Sequence, residues 1–440
     1  MKRKVYTTLD EFIAQNGELG GVLPCSEDVS VLGQSVSVGS KIVPNRLVCQ
    51  AMEGCDGTAT GEPDELTKRR YDRFAKGGAG LIWFEATAVL EEGRANPRQL
   101  YIHENNVDAF KKIVEDIKET AIKTNGIEPV VIMQATHSGR YSKPNGTPAP
   151  MIAYNNPIFE GNNPISEDRI VTDDYLDHVK EALIRGAEMA EKAGFDGVDM
   201  KCCHRYLNSE LLSAFNRPGR YGGSLENRTR LLRESISGAQ EVTGKDFIVS
   251  SRMNVYDGFP RPYGFGVGEE GIDFDPTEPI WLLEQLAASG VELLNITMGN
   301  PYFNPHVNRP FVMGGYEAEE HPLEGVARML NGTAALKKAV PQLKIICSAL
   351  SYLGVAAPNV AAALVKEGGI DFAGFGRMIF AYPDFAKDII KQGGLDKSKI
   401  CICCSKCTNV MRAGSTPGCV IRDKEVYLPL FEQYCGGNKK

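Results

Sequence analysis

Nearly continuous apolar runs, rich in β-branched residues, recur along this chain with amphipathic stretches between them. In order they are "NRLVCQAM" (45–52), "GAGLIWFEAT" (78–87), "PVVIMQAT" (129–136), "FDGVDMKCC" (195–203), "DFIVSSRMN" (246–254), "GVELLNIT" (290–297), "LKIICSAL" (343–350) and "IDFAGFGR" (370–377). Runs without polar alternation read as parallel strands covered on both faces. Stretches such as "VDAFKKIVEDIKETAIK" (107–123) and "YLDHVKEALIRGAEMAEKAGF" (175–195) carry apolar residues at helical spacing. Eight strands alternating with helices predict an α/β chain folded as a (β/α)8 TIM barrel, although a doubly wound sheet has the same alternation. "VSVLGQSVSVGSKIVPNR" (29–46) alternates and is rich in turn residues, so it reads as a β-hairpin plugging the barrel bottom. Two connections, 136–172 and 299–325, are long and follow strands. In a barrel both lie at the C-terminal face, where long loops act as lids or binding loops.

Composition narrows the function. A chain of 440 residues exceeds the usual domain, yet one barrel with insertions reaches that length. With 49 Lys and Arg against 56 Asp and Glu, the net charge of −7 argues against nucleic acid as a partner. No apolar run approaches the ~18 residues of a membrane span, and "MKRKVYTTLDEF" lacks the apolar core of a signal peptide. The expectation is a cytoplasmic chain with no membrane partner, its thiols reduced.

Polar residues at C-terminal strand ends are the natural site candidates in a barrel. Here they are Glu85, Gln134, Lys201 with His204 and Tyr206, Arg252, and Gly376 with Arg377. Any one buried Arg or Gln can equally be a satisfied structural group; the set fits a polar ligand spanning the barrel mouth. In "FAGFGRMIFAYPDF" (372–385), Gly376 and Arg377 follow the eighth strand just before a helix. Backbone N–H groups at a helix start with a guanidinium beside them favour phosphate, and "CSALSYLG" (347–354) offers a second small-residue turn.

Five of the twelve cysteines crowd into "CICCSKCTNVMRAGSTPGC" (401–419). Cys401, Cys404, Cys407 and Cys419 are spaced C-x2-C-x2-C-x11-C. Zinc sites usually pair ligands in two separated knuckles, whereas three close thiols and a distant fourth suit a cuboidal [4Fe–4S] cluster. Spacing alone leaves both open, as it leaves Cys403 open as a substitute for Cys404. Cys202 and Cys203 read as strand-packing residues.

"NRLVCQAM", "EATAVLEEGR", "MQATHSGR", "YLNSELLSAFNRPGRYGGSLENRTRLLRE" and "GFGRMIFAYPDF" resemble, in order over residues 29–390, the signatures of the Old Yellow Enzyme family. The resemblance implies an FMN-containing barrel. It places Ala51, Met52 and Ala86 near the isoalloxazine, Gln134 at the pyrimidine edge, Arg252 at the N1 and O2 side, and Ala349, Gly376 and Arg377 at the phosphate. Many members carry His, two small residues, His or Asn, any residue, then Tyr-Leu. The stretch "KCCHRYL" (201–207) keeps His204 and Tyr206 but replaces the first His with Lys201. These three are the implied catalytic residues, with a packed His and a core Tyr as the structural alternatives. Lys201 would assist a carbonyl or carboxylate, or merely pair with Glu85 or another acid.

The cysteine spacing is similar to that of an iron–sulfur branch of the family, which includes 2,4-dienoyl-CoA reductase, 2-enoate reductase and trimethylamine dehydrogenase. The resemblance therefore implies a barrel over 1–395 and an iron–sulfur segment over 396–440. Those relatives continue into an FAD- and nucleotide-binding region, whereas residues 420–440 hold no G-x-G-x-x-G after a strand. The expectation is an ene-reductase acting on a small unsaturated carbonyl compound. Its electrons would come from NADH or NADPH, or through the cluster from a separate flavoprotein or ferredoxin. The alternatives are an amine dehydrogenase of the trimethylamine dehydrogenase type and a non-catalytic electron-transfer subunit. Association of identical chains is left open.

Overall fold

The computed structural model describes residues 3–436; residues 1–2 and 437–440, the outer ends of the two expected segments, lie outside it. Strands β1 (Val36–Val38) and β2 (Lys41–Val43) form an antiparallel hairpin. Then come β3 (Leu47–Cys49), β4 (Leu81–Ala88), β5 (Val130–Thr136), β6 (Gly197–Met200), β7 (Ile248–Asn254), β8 (Leu293–Thr297), β9 (Lys344–Cys347) and β10 (Phe372–Phe375). These eight close into a barrel in chain order, every pair parallel, with β10 returning to β3. Closure removes the doubly wound alternative.

The helices stand where their periodicity put them. Val107–Asn125 ends at Gly126, whose φ of 71° suits a residue without a Cβ. Asp173–Lys192 starts at Thr172, whose hydroxyl accepts from the Tyr175 N–H. Among the described residues no helix is long and apolar enough to cross a membrane.

The hairpin seals the bottom of the barrel. Val36, Val38 and Val43 pack with Val48, Trp83, Ile132, Leu293 and Phe372 into one apolar cluster inside it. The functional end is therefore the C-terminal face. Strand β4 is irregular there: its register against β5 shifts between Phe84 and Ala86. The extra residue is Glu85. A bulge of this kind re-aims side chains, and here Glu85 turns to the helix Glu65–Lys76 while Ala86 pairs with Gln134.

The cysteine-bearing segment lies on the same face. It supplies the helices Lys406–Arg412 and Lys424–Cys435. Asp423 accepts from Arg69 at 2.8 and 2.9 Å and also from Arg73. Thr416 donates to the Cys55 carbonyl at 3.2 Å, and Arg412 to the Pro301 carbonyl at 2.7 Å. The loop 299–325 reaches across from β8, where the Val312 N–H donates to the Cys403 carbonyl at 3.2 Å.

Candidate active site

A cavity of about 1080 Å³, mouth included, occupies the C-terminal face. Ala51, Met52, Ala86, Gln134, Arg252 and Ala349 line it, with Gly376 and Arg377. So do Lys201, His204 and Tyr206. Eleven residues spread over most of the chain thus share one wall.

Asp199, buried on β6, organises one side. Its Oδ2 accepts from Gln134 Nε2 and Trp83 Nε1, both at 2.6 Å, and its Oδ1 accepts from the Arg252 N–H at 2.6 Å. The Gln134 amide donor is therefore engaged with Asp199, which leaves its carbonyl oxygen for a ligand N–H. Arg252 sends one guanidinium nitrogen to the Ala51 carbonyl at 3.3 Å and keeps Nε unpartnered. Across the cavity Arg377 donates to the Pro310 carbonyl at 2.6 Å and keeps Nη1 unpartnered. Arg309, from the 299–325 loop, donates to Ser405 Oγ at 3.1 Å and keeps Nε unpartnered. Burial, then Arg377 and Arg412, push its pKa down to about 10. Two buried guanidiniums and a half-buried third, each with a buried nitrogen short of an acceptor, suit an anionic, oxygen-rich ligand, and a flavin nucleotide meets that demand at both its phosphate and its pyrimidine.

The reacting side is built from the end of β6. His204 and Arg205 are held at φ of 64° and 60°, a conformation uncommon in non-glycine residues. Burial, with Arg252 and Lys201 adding to it, holds His204 well below its usual pKa, so the imidazole is neutral. Lys201, buried, places its ammonium 3.6 Å from the ring centre of Tyr206. The Tyr206 hydroxyl stands 3.1 Å from Tyr302 Oη and 3.5 Å from Glu53 Oε2. Burial, Tyr302 and Glu53 together hold it well above the ordinary phenol pKa. Tyr302 in turn stacks on Tyr141 at 3.8 Å.

Two expectations need correction. Glu85, proposed as a mouth residue, does not line the cavity: the β4 bulge sends it to Arg70, which also holds Asp56. Glu85 Oε2 also accepts from the Gly54 N–H at 2.6 Å. Lys201 consequently has no pairing with Glu85; the acid facing it is Glu53. Sequence reasoning also passed over Asp199, Glu53, Tyr302 and Arg309. A lone acid inside the apolar run "GVDM" and an acid just past "QAM" were visible signals. Tyr302 and Arg309 had none beyond the length of their loop.

A second cavity, about 390 Å³, adjoins the first. Cys401, Cys403, Cys404, Cys407 and Cys419 ring it, and Arg377, Phe380 and Cys407 line both cavities. Cys401 Sγ accepts from the Cys403 N–H at 3.4 Å, and Cys419 Sγ from the Arg422 N–H at 3.3 Å. Cys403 points its thiol at the Ser351 carbonyl, 3.7 Å away. Among the described residues no three His, Cys, Asp or Glu side chains converge tightly enough for a single metal ion. Cys202 and Cys203 are fully buried, as packing residues are. All twelve cysteines are free thiols.

Known proteins place this site in context. The chain is 29% identical over 227 residues to an NADPH dehydrogenase of Clostridium acetobutylicum, covering 51% of this chain and 64% of that protein. It is 24% identical over 362 residues to a metal reductase of Desulforamulus reducens, covering 81% and 48%. It thus spans less than two thirds of either relative. Its fold matches that of 2-naphthoyl-CoA reductase, solved with 2-naphthoyl-CoA, with a TM-score of 0.68 at 22% identity, over 85% of this chain and 54% of that one. A flavin-dependent oxidoreductase signature covers residues 32–265, more than half of the sequence, and by it the chain belongs to the NADH:flavin oxidoreductase / NADH oxidase family.

Proposed function

We propose that this protein is an ene-reductase that uses FMN and a [4Fe–4S] cluster to reduce the C=C bond of an α,β-unsaturated carbonyl compound. The observation that carries the reading is the convergence of Lys201, His204 and Tyr206 on the wall that also holds Gln134, Arg252 and Arg377. When bound and reduced, FMN would supply hydride to the β-carbon. Gln134 and Arg252 would hold its pyrimidine side, with the guanidinium stabilising negative charge there; Ala349, Gly376, Arg377 and Arg309 would hold the phosphate. Neutral His204 donates a hydrogen bond to the substrate carbonyl, and Lys201 adds positive charge where an enolate develops. Tyr206, kept protonated by its surroundings, gives its proton to the α-carbon.

The cysteine cavity supports the cluster over zinc. Five cysteines line one cavity of about 390 Å³, and three closely spaced thiols with a distant fourth are the ligand pattern of a cuboidal cluster more than of paired zinc knuckles. Cys401, Cys404, Cys407 and Cys419 are the proposed ligands, with Cys403 turned to Ser351. Electrons would enter from NADH or NADPH at the barrel mouth, or through the cluster from a flavoprotein or ferredoxin. The lack of any disulfide among the described cysteines suits a reducing, cytoplasmic setting.

The amine dehydrogenase alternative differs at the substrate side. With Arg252, Arg309 and Arg377 given to FMN, the charged lining left for a substrate is Lys201 with Glu53, and an ammonium beside the substrate favours a developing enolate over a substrate cation.

The test is anaerobic. Purified protein should hold about one FMN and about four irons per chain. Photoreduced protein should be reoxidised by members of a panel of enones and enoates, and the oxidised flavin should not be reduced by amines. Stoichiometric zinc without iron would sink the cluster, and an unreactive panel would sink the ene-reductase.

A further inference from the structure

The hydride to the β-carbon carries both electrons, so the hydrogen for the α-carbon arrives as a proton. On the reading above Tyr206 delivers it and would be left as a phenolate in a buried pocket. We propose that Glu53 protonates Tyr206 as Tyr206 protonates the substrate, making the chain Glu53–Tyr206–substrate one concerted relay that sets the rate of flavin reoxidation. This inference rests on the ene-reductase reading and adds the source of its proton.

The geometry carries it. Glu53 follows β3 and is the one carboxyl in the described cavity lining. Its Oε2 is 3.5 Å from the Tyr206 hydroxyl. Its Oε1 accepts from Asn96 Nδ2 at 3.0 Å and lies 3.7 Å from Cys55 Sγ. The other groups near the hydroxyl are poorer sources. Tyr302 is itself a phenol of raised pKa, a much weaker acid than a carboxyl group. Lys201 sits over the ring face of Tyr206. His204 is neutral and directed to the carbonyl.

The groups facing Glu53 set its charge state. Cys55 shares its loop, Asn96 comes from the loop after β4, Lys201 and Tyr206 from the end of β6, and Tyr302 from the loop after β8. The Arg70, Asp56 and Glu85 set lies behind Gly54. Burial raises the Glu53 pKa, against the pull of Lys201, Cys55, Asn96 and Tyr206. In the step, the Glu53 O–H bond breaks as a new Tyr206 O–H bond forms and the old one gives its proton to the α-carbon. The carboxylate left behind is steadied by Lys201 and Asn96, and water from the cavity mouth reprotonates it. No electrons move.

The test is the oxidative half-reaction from pH 5 to 9. Photoreduced wild type, Glu53→Gln and Glu53→Asp are mixed anaerobically with 2-cyclohexenone, cinnamate and crotonyl-CoA. Glu53 must be protonated to act, so the wild-type rate should fall as pH rises through its pKa. Glu53→Asp should keep that fall. Glu53→Gln, with the wild-type FMN content, should be about 10²-fold slower at low pH and lose the fall. A Glu53→Gln protein with the wild-type rate and pH profile overturns the relay while leaving the ene-reductase standing. So does a uniform loss with the pH profile intact, which would mark a structural role. If no member of the panel reoxidises wild type, the ene-reductase reading falls and the relay falls with it.

Discussion

Tyr206 bears the heaviest demand placed on any one side chain. Its pocket resists phenolate, so on the proposed reading its proton would go only to a strongly basic carbon. Tyr206→Phe should slow reoxidation of reduced enzyme by an unsaturated carbonyl about 10²–10⁴-fold while flavin reduction changes little. Stopped-flow separates the two half-reactions, and equal losses in both would remove the phenol from proton delivery. Lys201, His204 and Tyr206 were legible as cavity residues because they crowd into six residues at one strand end. Glu53 was harder to read: it reaches Tyr206 from a loop 153 positions away in sequence. Its place just past the apolar "QAM" marked it as an acid at a strand end, but not as a partner of Tyr206.

At the scale of the element, β4 and the loop after β5 carry consequences for stability. The β4 bulge hands Glu85 to Arg70, which then serves two buried carboxylates. Arg70→Met would strand both, and a loss of about 3–5 kcal/mol is expected in urea unfolding; a loss under 1 kcal/mol would show that the carboxylates find other partners. After β5, His137 Nδ1 accepts from the Gly139 N–H at 3.1 Å, and Nε2 meets Tyr175 Oη at 2.9 Å. Tyr175 donates on to Glu92. Burial pushes the His137 pKa down from 6.5 to about 4. The unfolded chain takes up this proton near 6.5, the folded one only near 4. Stability is therefore complete above pH 6.5 and lost as pH falls toward 4, by about 3 kcal/mol. Urea midpoints at pH 7.5 and 4.5 should fall further in wild type than in His137→Asn. The strands themselves were plain in the sequence. The bulge was not, because "LIWFEATA" is buried on both faces and its pattern carries no phase to break.

In the whole molecule, two cavities share a wall of Arg377, Phe380 and Cys407. Cys407→Ser should lower iron content while FMN stays bound, as read by metal analysis and flavin extraction; loss of both together would mean that the cluster segment must be intact for Arg377 to hold FMN. The barrel was legible from eight apolar runs. The wall was not, since its residues meet only when the segment after the eighth strand folds back onto the mouth. The hairpin β1–β2 has a further consequence. With the floor stopped by Val36, Val38 and Val43, ligands come and go through the C-terminal face. A reducing nicotinamide and an oxidising substrate would then compete for one doorway and take turns in it. Steady-state double-reciprocal plots should be parallel, and excess NADH should inhibit competitively against the substrate. Intersecting lines would mean that both visitors are accommodated at once.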